Sequence, residues 1–125
     1  MHQAWIAVGW CMVAVVTWGC LTPSPPEIGF PFPQFDKLEH FVAYLGMSAW
    51  FAAAVTTRRD FRWVVACLVI MGGLIEIVQG LSGYRDAEWL DWAADCLGVA
   101  AGVWRPKQYL HKVYTHLTGM HAAGA

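Results

Sequence analysis

Asp36, His40 and Tyr44 recur at intervals of four, Glu76 and Gln79 are three apart, and Glu88, Asp91, Asp95, Gly98 and Gly102 step by three and four. In a helix these spacings put side chains on one face, so three segments each carry a polar stripe. An imidazole among carboxylates suits general acid–base chemistry: His40 exchanges a proton near neutral pH, oriented by Asp36, Glu76 or Asp91. His40, Glu76 and Asp91 are therefore the candidate catalytic residues. Asp36, Lys37, His40, Tyr44, Glu76, Gln79, Arg85, Asp91 and Asp95 form the candidate ligand-binding set, with Lys37 and Arg85 the natural partners of the acids or of an anionic group. A divalent metal on His40, Glu76, Asp91 and Asp95 is chemically conceivable, but the spacing matches no standard ligand motif. No metal or cofactor is assigned. No Ser or Cys accompanies the set with an evident base, which argues against a covalent nucleophile.

The chain that must position these residues is unusually apolar. Of its 125 residues 58% are hydrophobic and 14% charged, with eight tryptophans. Ordinary soluble domains are about 45–50% apolar and about 25% charged. This excludes a disordered tail, a nucleic-acid binder and an ordinary small soluble enzyme, and leaves room for one domain. The expected fold is all-α, a bundle of four transmembrane helices over 4–22, 38–56, 61–81 and 87–104, each near the roughly 20 residues that cross a bilayer. Glu88, Asp91 and Asp95 depress the hydropathy of the fourth span, for which a re-entrant or surface helix is the alternative. A proline-rich stretch over 23–33 reads as a stiff, extended loop. The first segment lacks the basic start of a cleaved signal peptide. Residues 105–125 read as a solvated cytoplasmic tail with a short interfacial helix using Tyr109, Leu110, Val113, Tyr114 and Leu117. The spacing of five between His111, His116 and His121 does not favour a metal site. Cys11, Cys20, Cys67 and Cys96 form no C-x-x-C pair and read as buried free thiols.

Charge sets the expected orientation. Arg58, Arg59, Arg62, Arg105, Lys107 and Lys112 fall on one side of the spans, and only Lys37 and Arg85 on the other. The positive-inside rule then puts both termini in the cytoplasm, and the basic rim suits anionic headgroups. Every acid except Asp60 falls in the outer loops or outer halves of helices. Glu39, Asp86 and Glu88 are expected to be solvated at the interface. A single acid costs about 2.5–3.5 kcal/mol at the centre of a membrane helix. Several together call for a polar cavity, mutual pairing or proton sharing. The plainest alternative to a functional site is a polar zipper of interhelical hydrogen bonds.

Taken together, Asp36-Lys37-x-x-His40-x-x-x-Tyr44, Glu76-x-x-Gln79, Arg85 and Asp91-x-x-x-Asp95-x-x-Gly98-x-x-x-Gly102 resemble the VanZ-like family. The match covers about residues 36 to 102. The family pattern usually carries Asn at the position of Asp95; the change keeps the size and removes the amide donor. The resemblance implies a small integral protein of the bacterial cytoplasmic membrane and a cell-envelope context. The family's namesake is associated with low-level resistance to the glycopeptide teicoplanin.

Three functions fit these readings. The first is a polar site open to the outer leaflet that binds an amphipathic ligand: a phospholipid headgroup, a lipid-linked envelope precursor or a lipidated glycopeptide. The excess of acids favours a zwitterionic or cationic headgroup. The second is an intramembrane hydrolase or transferase acting on such headgroups. The third is a structural or regulatory protein docking a larger membrane partner.

Overall fold

The computed structural model describes residues 1–23, 34–104 and 106–119. They form five α-helices: α1 (His2–Leu21), α2 (Phe35–Ala53), α3 (Arg58–Ser82), α4 (Trp89–Trp104) and α5 (Pro106–Thr118). The all-α expectation holds for these residues. The extended loop expected over 23–33 lies, beyond Pro23, outside the described residues, as does His121.

Local chemistry sets the helix ends. The Thr57 hydroxyl accepts the Asp60 N–H at 3.0 Å, opening α3, and Gly83 closes it in the left-handed region at φ 74°. Pro106 opens α5, where its missing N–H costs nothing. Two helices, α1 and α3, are long and apolar enough to cross a membrane. The acids that open α2 lower its hydropathy. The 16 residues of α4 measure about 24 Å, short of the roughly 30 Å of a hydrocarbon core.

The central helix is α2, which packs against all four others. Its closest neighbour is α4, and the reason is steric. A Cβ at Gly98 would collide with the Phe41 carbonyl, and one at Gly102 with the Leu45 carbonyl and the Ser48 hydroxyl. Only hydrogen at these positions lets the two backbones meet. On the far side of α4, Trp92 lies over Gly72 and Gly73 and donates its indole N–H to the Val69 carbonyl at 3.0 Å. Tyr44, Met47, Leu68 and Val99 fill the middle of the bundle.

The end of the molecule where α2 finishes is aromatic. Trp5 of α1 and Trp50 of α2 stack at 3.8 Å with their planes 9° apart. Each indole donates to the other residue's carbonyl, at 3.1 and 2.9 Å. The segment expected to be a solvated tail packs here instead. Tyr114 of α5 is buried against Trp5 and Ala53, with Leu110 beside it, while Tyr109, Val113 and Leu117 stay exposed. His111 donates from Nδ1 to the Ala53 carbonyl at 2.7 Å, and His2 bonds the Tyr114 hydroxyl at 2.6 Å. The cause is the end of α2: its last carbonyls have no intrahelical partner, and α5 brings one a donor.

Burial is inverted relative to a soluble protein. Val8, Trp10, Val15 and Trp18 of α1 and Ile70, Leu74, Ile77 and Leu81 of α3 are exposed, whereas His40, Ser48, Glu76, Gln79, Asp91 and Asp95 are buried. Exposed apolar surface on this scale marks a membrane or partner contact. The cysteines follow the same inversion. Cys11 and Cys67 are exposed and Cys20 and Cys96 half-buried, which corrects the expectation of four buried thiols. Their helices turn these thiols outward along with the surrounding apolar side chains.

Candidate functional site

The other end of the bundle, where α2 begins, carries the titratable groups. α2 supplies His40, α3 supplies Glu76, and α4 supplies Asp91 and Asp95; all four are buried. His40 Nδ1 lies 2.8 Å from Asp95 Oδ1, in a bond to which a carboxylate contributes only as acceptor. With Asp95 ionised, the bond holds the ring with Nδ1 protonated and leaves Nε2 on the side of Asp91, whose Oδ2 lies 4.0 Å away. Two side chains on one helix thus flank one imidazole on its neighbour, and one of them bonds it. The glycine contacts of Gly98 and Gly102, on the same stripe of α4, bring the two helices close enough for this.

Glu76 is accommodated by the start of α4. Its Oε2 accepts the Glu88 backbone N–H at 2.9 Å, one of the donors that a helix N-terminus leaves unpaired. The positive end of the α4 dipole adds to the effect. Lys37 sits at the rim among three carboxylates: Glu88 at 2.6 Å, Asp91 at 3.2 Å and Asp36 at 3.4 Å. The three carboxylates around it favour the charged form of the Lys37 amine. The expectation that Glu88 is merely solvated is corrected accordingly. Its side chain is half-exposed yet paired with Lys37, and its backbone holds Glu76. The clue in the sequence is its place just before a helix start, where backbone donors are free.

The remaining candidates divide. Tyr44 is buried one turn below His40. Asp36 is exposed at the rim. Gln79 and Arg85, expected in the ligand-binding set, turn instead to the end of α1. Gln79 donates to the Cys20 carbonyl at 2.7 Å and Arg85 to the Gly19 carbonyl at 3.5 Å; Tyr84 donates to Leu21 at 2.8 Å. Three side chains thus satisfy three of the orphan carbonyls that end a helix. Arg85 makes no ion pair with an acid among the described residues. Among the described residues, the Lys or Arg side chain paired with these acids is Lys37.

Not every polar atom at this end is satisfied. Among the described residues, the buried side-chain oxygens without a hydrogen-bond partner are the Tyr44 hydroxyl, Glu76 Oε1 and Asp91 Oδ1. The last faces the Lys37 ammonium without forming an aligned hydrogen bond. Buried polar groups are paired as a rule, and an unpaired one costs about 1–3 kcal/mol. His40, Glu76 and Asp91 each offer one ligand atom, and these atoms lie within 4.8 Å of one another. Comparison of the chain with family models, curated proteins and solved structures finds no match. The functional reading therefore rests on the site itself.

Proposed function

We propose that this chain is a VanZ-like, multi-pass protein of the bacterial cytoplasmic membrane that binds the headgroup of an amphipathic or lipid-linked ligand. In this reading α1 to α4 cross the bilayer with both termini cytoplasmic. The basic residues Arg58, Arg59, Arg62 and Lys107 meet the anionic inner surface, and the cluster around His40 lies in the outer leaflet. The short α4 is accommodated by local thinning of the bilayer at the polar site. The observation that carries the reading is the pairing of an apolar exterior with a buried acid–imidazole cluster that has unpaired oxygens. A polar zipper would use its polar atoms on one another, whereas a binding site keeps some for a guest. The acidic surplus favours a zwitterionic or cationic headgroup.

The test is photo-crosslinking in nanodiscs with a diazirine-bearing phosphatidylethanolamine. Capture at α2, α3 or α4 is expected, competed by unlabelled phosphatidylethanolamine and not by phosphatidylglycerol. It falls in His40→Ala and Asp91→Ala while membrane insertion persists. Capture that is equal in wild type and both variants removes the site. The VanZ-like reading adds that both variants lower teicoplanin tolerance in a bacterial host.

An intramembrane hydrolase or transferase is the second reading. The Asp95-held imidazole favours it, because its Nε2 is turned into the cluster ready to exchange a proton. Turnover of a lipid-linked substrate that His40→Ala abolishes would establish it.

A further inference from the structure

We infer that His40, Glu76 and Asp91 form a binding site for one divalent transition-series cation, Zn²⁺ or Mn²⁺, positioned by Asp95. This goes beyond the headgroup reading and does not depend on it. Spacing along the chain cannot reveal such a site, because each ligand comes from a different helix.

The first observation is convergence. One ligand atom from each of the three residues lies within 4.8 Å of the others. Ligands about 2.1 Å from an ion stand roughly 3.0–3.4 Å apart, so a contraction of at most roughly 1.4–1.8 Å closes the shell. The second observation is independent of the clustering. Glu76 is 2% exposed, and its Oε1 is buried without a partner. A carboxylate oxygen in that state lacks a positive neighbour, which a cation would supply.

The third observation is how each ligand is held. His40 is gripped through Nδ1 by Asp95, Glu76 through Oε2 by the Glu88 N–H, and Asp91 faces Lys37 through Oδ1. Each residue thus has one atom held by a partner and another left to offer, and the three converge. A carboxylate bonded to the far nitrogen of a ligating histidine is the common support of biological metal sites, where it fixes the tautomer and strengthens the imidazole as a donor. Imidazole with two carboxylates suits zinc or manganese better than the oxygen-only shells of magnesium and calcium. Three protein ligands leave a coordination position for water or a ligand oxygen. Asp95 is thus a positioning residue, and an amide there keeps an acceptor for the Nδ1–H.

The experiment uses the full chain in detergent micelles, stripped with chelator and carrying Cys11→Ser and Cys67→Ser so that exposed thiols do not bind zinc. Zn²⁺ is titrated by calorimetry and Mn²⁺ by electron paramagnetic resonance, with folding checked by circular dichroism. One ion per chain is expected. His40→Ala and the isosteric Glu76→Gln should each weaken binding by more than about 100-fold, and Asp95→Ala by about 10–100-fold, with recovery in Asp95→Asn. Absence of stoichiometric binding by both ions, or binding that survives Glu76→Gln in folded protein, overturns the inference. Lipid capture that persists in chelator without any metal binding overturns it too and leaves the headgroup reading intact. Metal binding without lipid capture does the reverse.

Discussion

The two ends of α2 bury polar groups in opposite states. At its C-terminal end Trp5, Trp50, His2, His111 and Tyr114 pair among themselves and with helix carbonyls, and both indole N–H groups find acceptors. At its N-terminal end His40, Asp95 and Glu76 are also bonded, yet Glu76 Oε1 and the Tyr44 hydroxyl lack partners and Asp91 Oδ1 meets only the Lys37 ammonium, without a hydrogen bond. Polarity alone does not separate scaffold from site here. What separates them is saturation: a fastening uses every donor and acceptor it buries, and a site holds some in reserve.

Substitutions at the two ends should therefore give opposite signatures. The largest loss of stability is expected for Trp50→Ala, which removes the stacked ring and the indole hydrogen bond to the Trp5 carbonyl. It should cost about 3–5 kcal/mol in a detergent unfolding titration, with ligand and metal binding retained by the folded fraction. A smaller cost would mean that the aromatic end is no fastening. Gln79→Leu is next. It orphans the Cys20 carbonyl, and a loss of about 1–3 kcal/mol is expected, again without effect on binding. Loss of binding with unchanged stability would return Gln79 to the site. The smallest effect on stability belongs to Asp91→Asn. Lys37 keeps Glu88 and Asp36 at the rim, so the unfolding free energy should change by less than about 1 kcal/mol while binding weakens sharply. Strong destabilisation would make the cluster a fastening like the aromatic end.

Much of the arrangement at the acidic end is legible in the sequence, because a helix turns spacing into direction. The steps of three and four from Glu88 to Gly102 place acids and glycines on one face of α4, and the interval between His40 and Tyr44 does the same on α2. Helix positions are legible for the same reason, to within a few residues. The inward turn of Gln79 is legible as well, but not its target, since the demand comes from carbonyls of α1 some 60 positions away in the chain. The target of Arg85 is hidden for the same cause. The roles of Glu88 and α5 depend on which helix ends meet. The outward-facing cysteines were hidden by composition, because a segment that is apolar all round carries no contrast between its buried and exposed sides.

The stripe on α4 also fixes alignment. Gly98 and Gly102 admit the α2 backbone in one register, since sliding α4 by a single residue would drive a side chain into the Phe41 or Leu45 carbonyl. Asp95 and Gly102 are seven residues apart, about 10 Å along the axis. The position of the carboxylate that steadies the imidazole is thus calibrated by two glycines, about one and two turns away, much as a key's teeth are set by its shoulder. A methyl group added there would detune the acidic end without touching any residue in it.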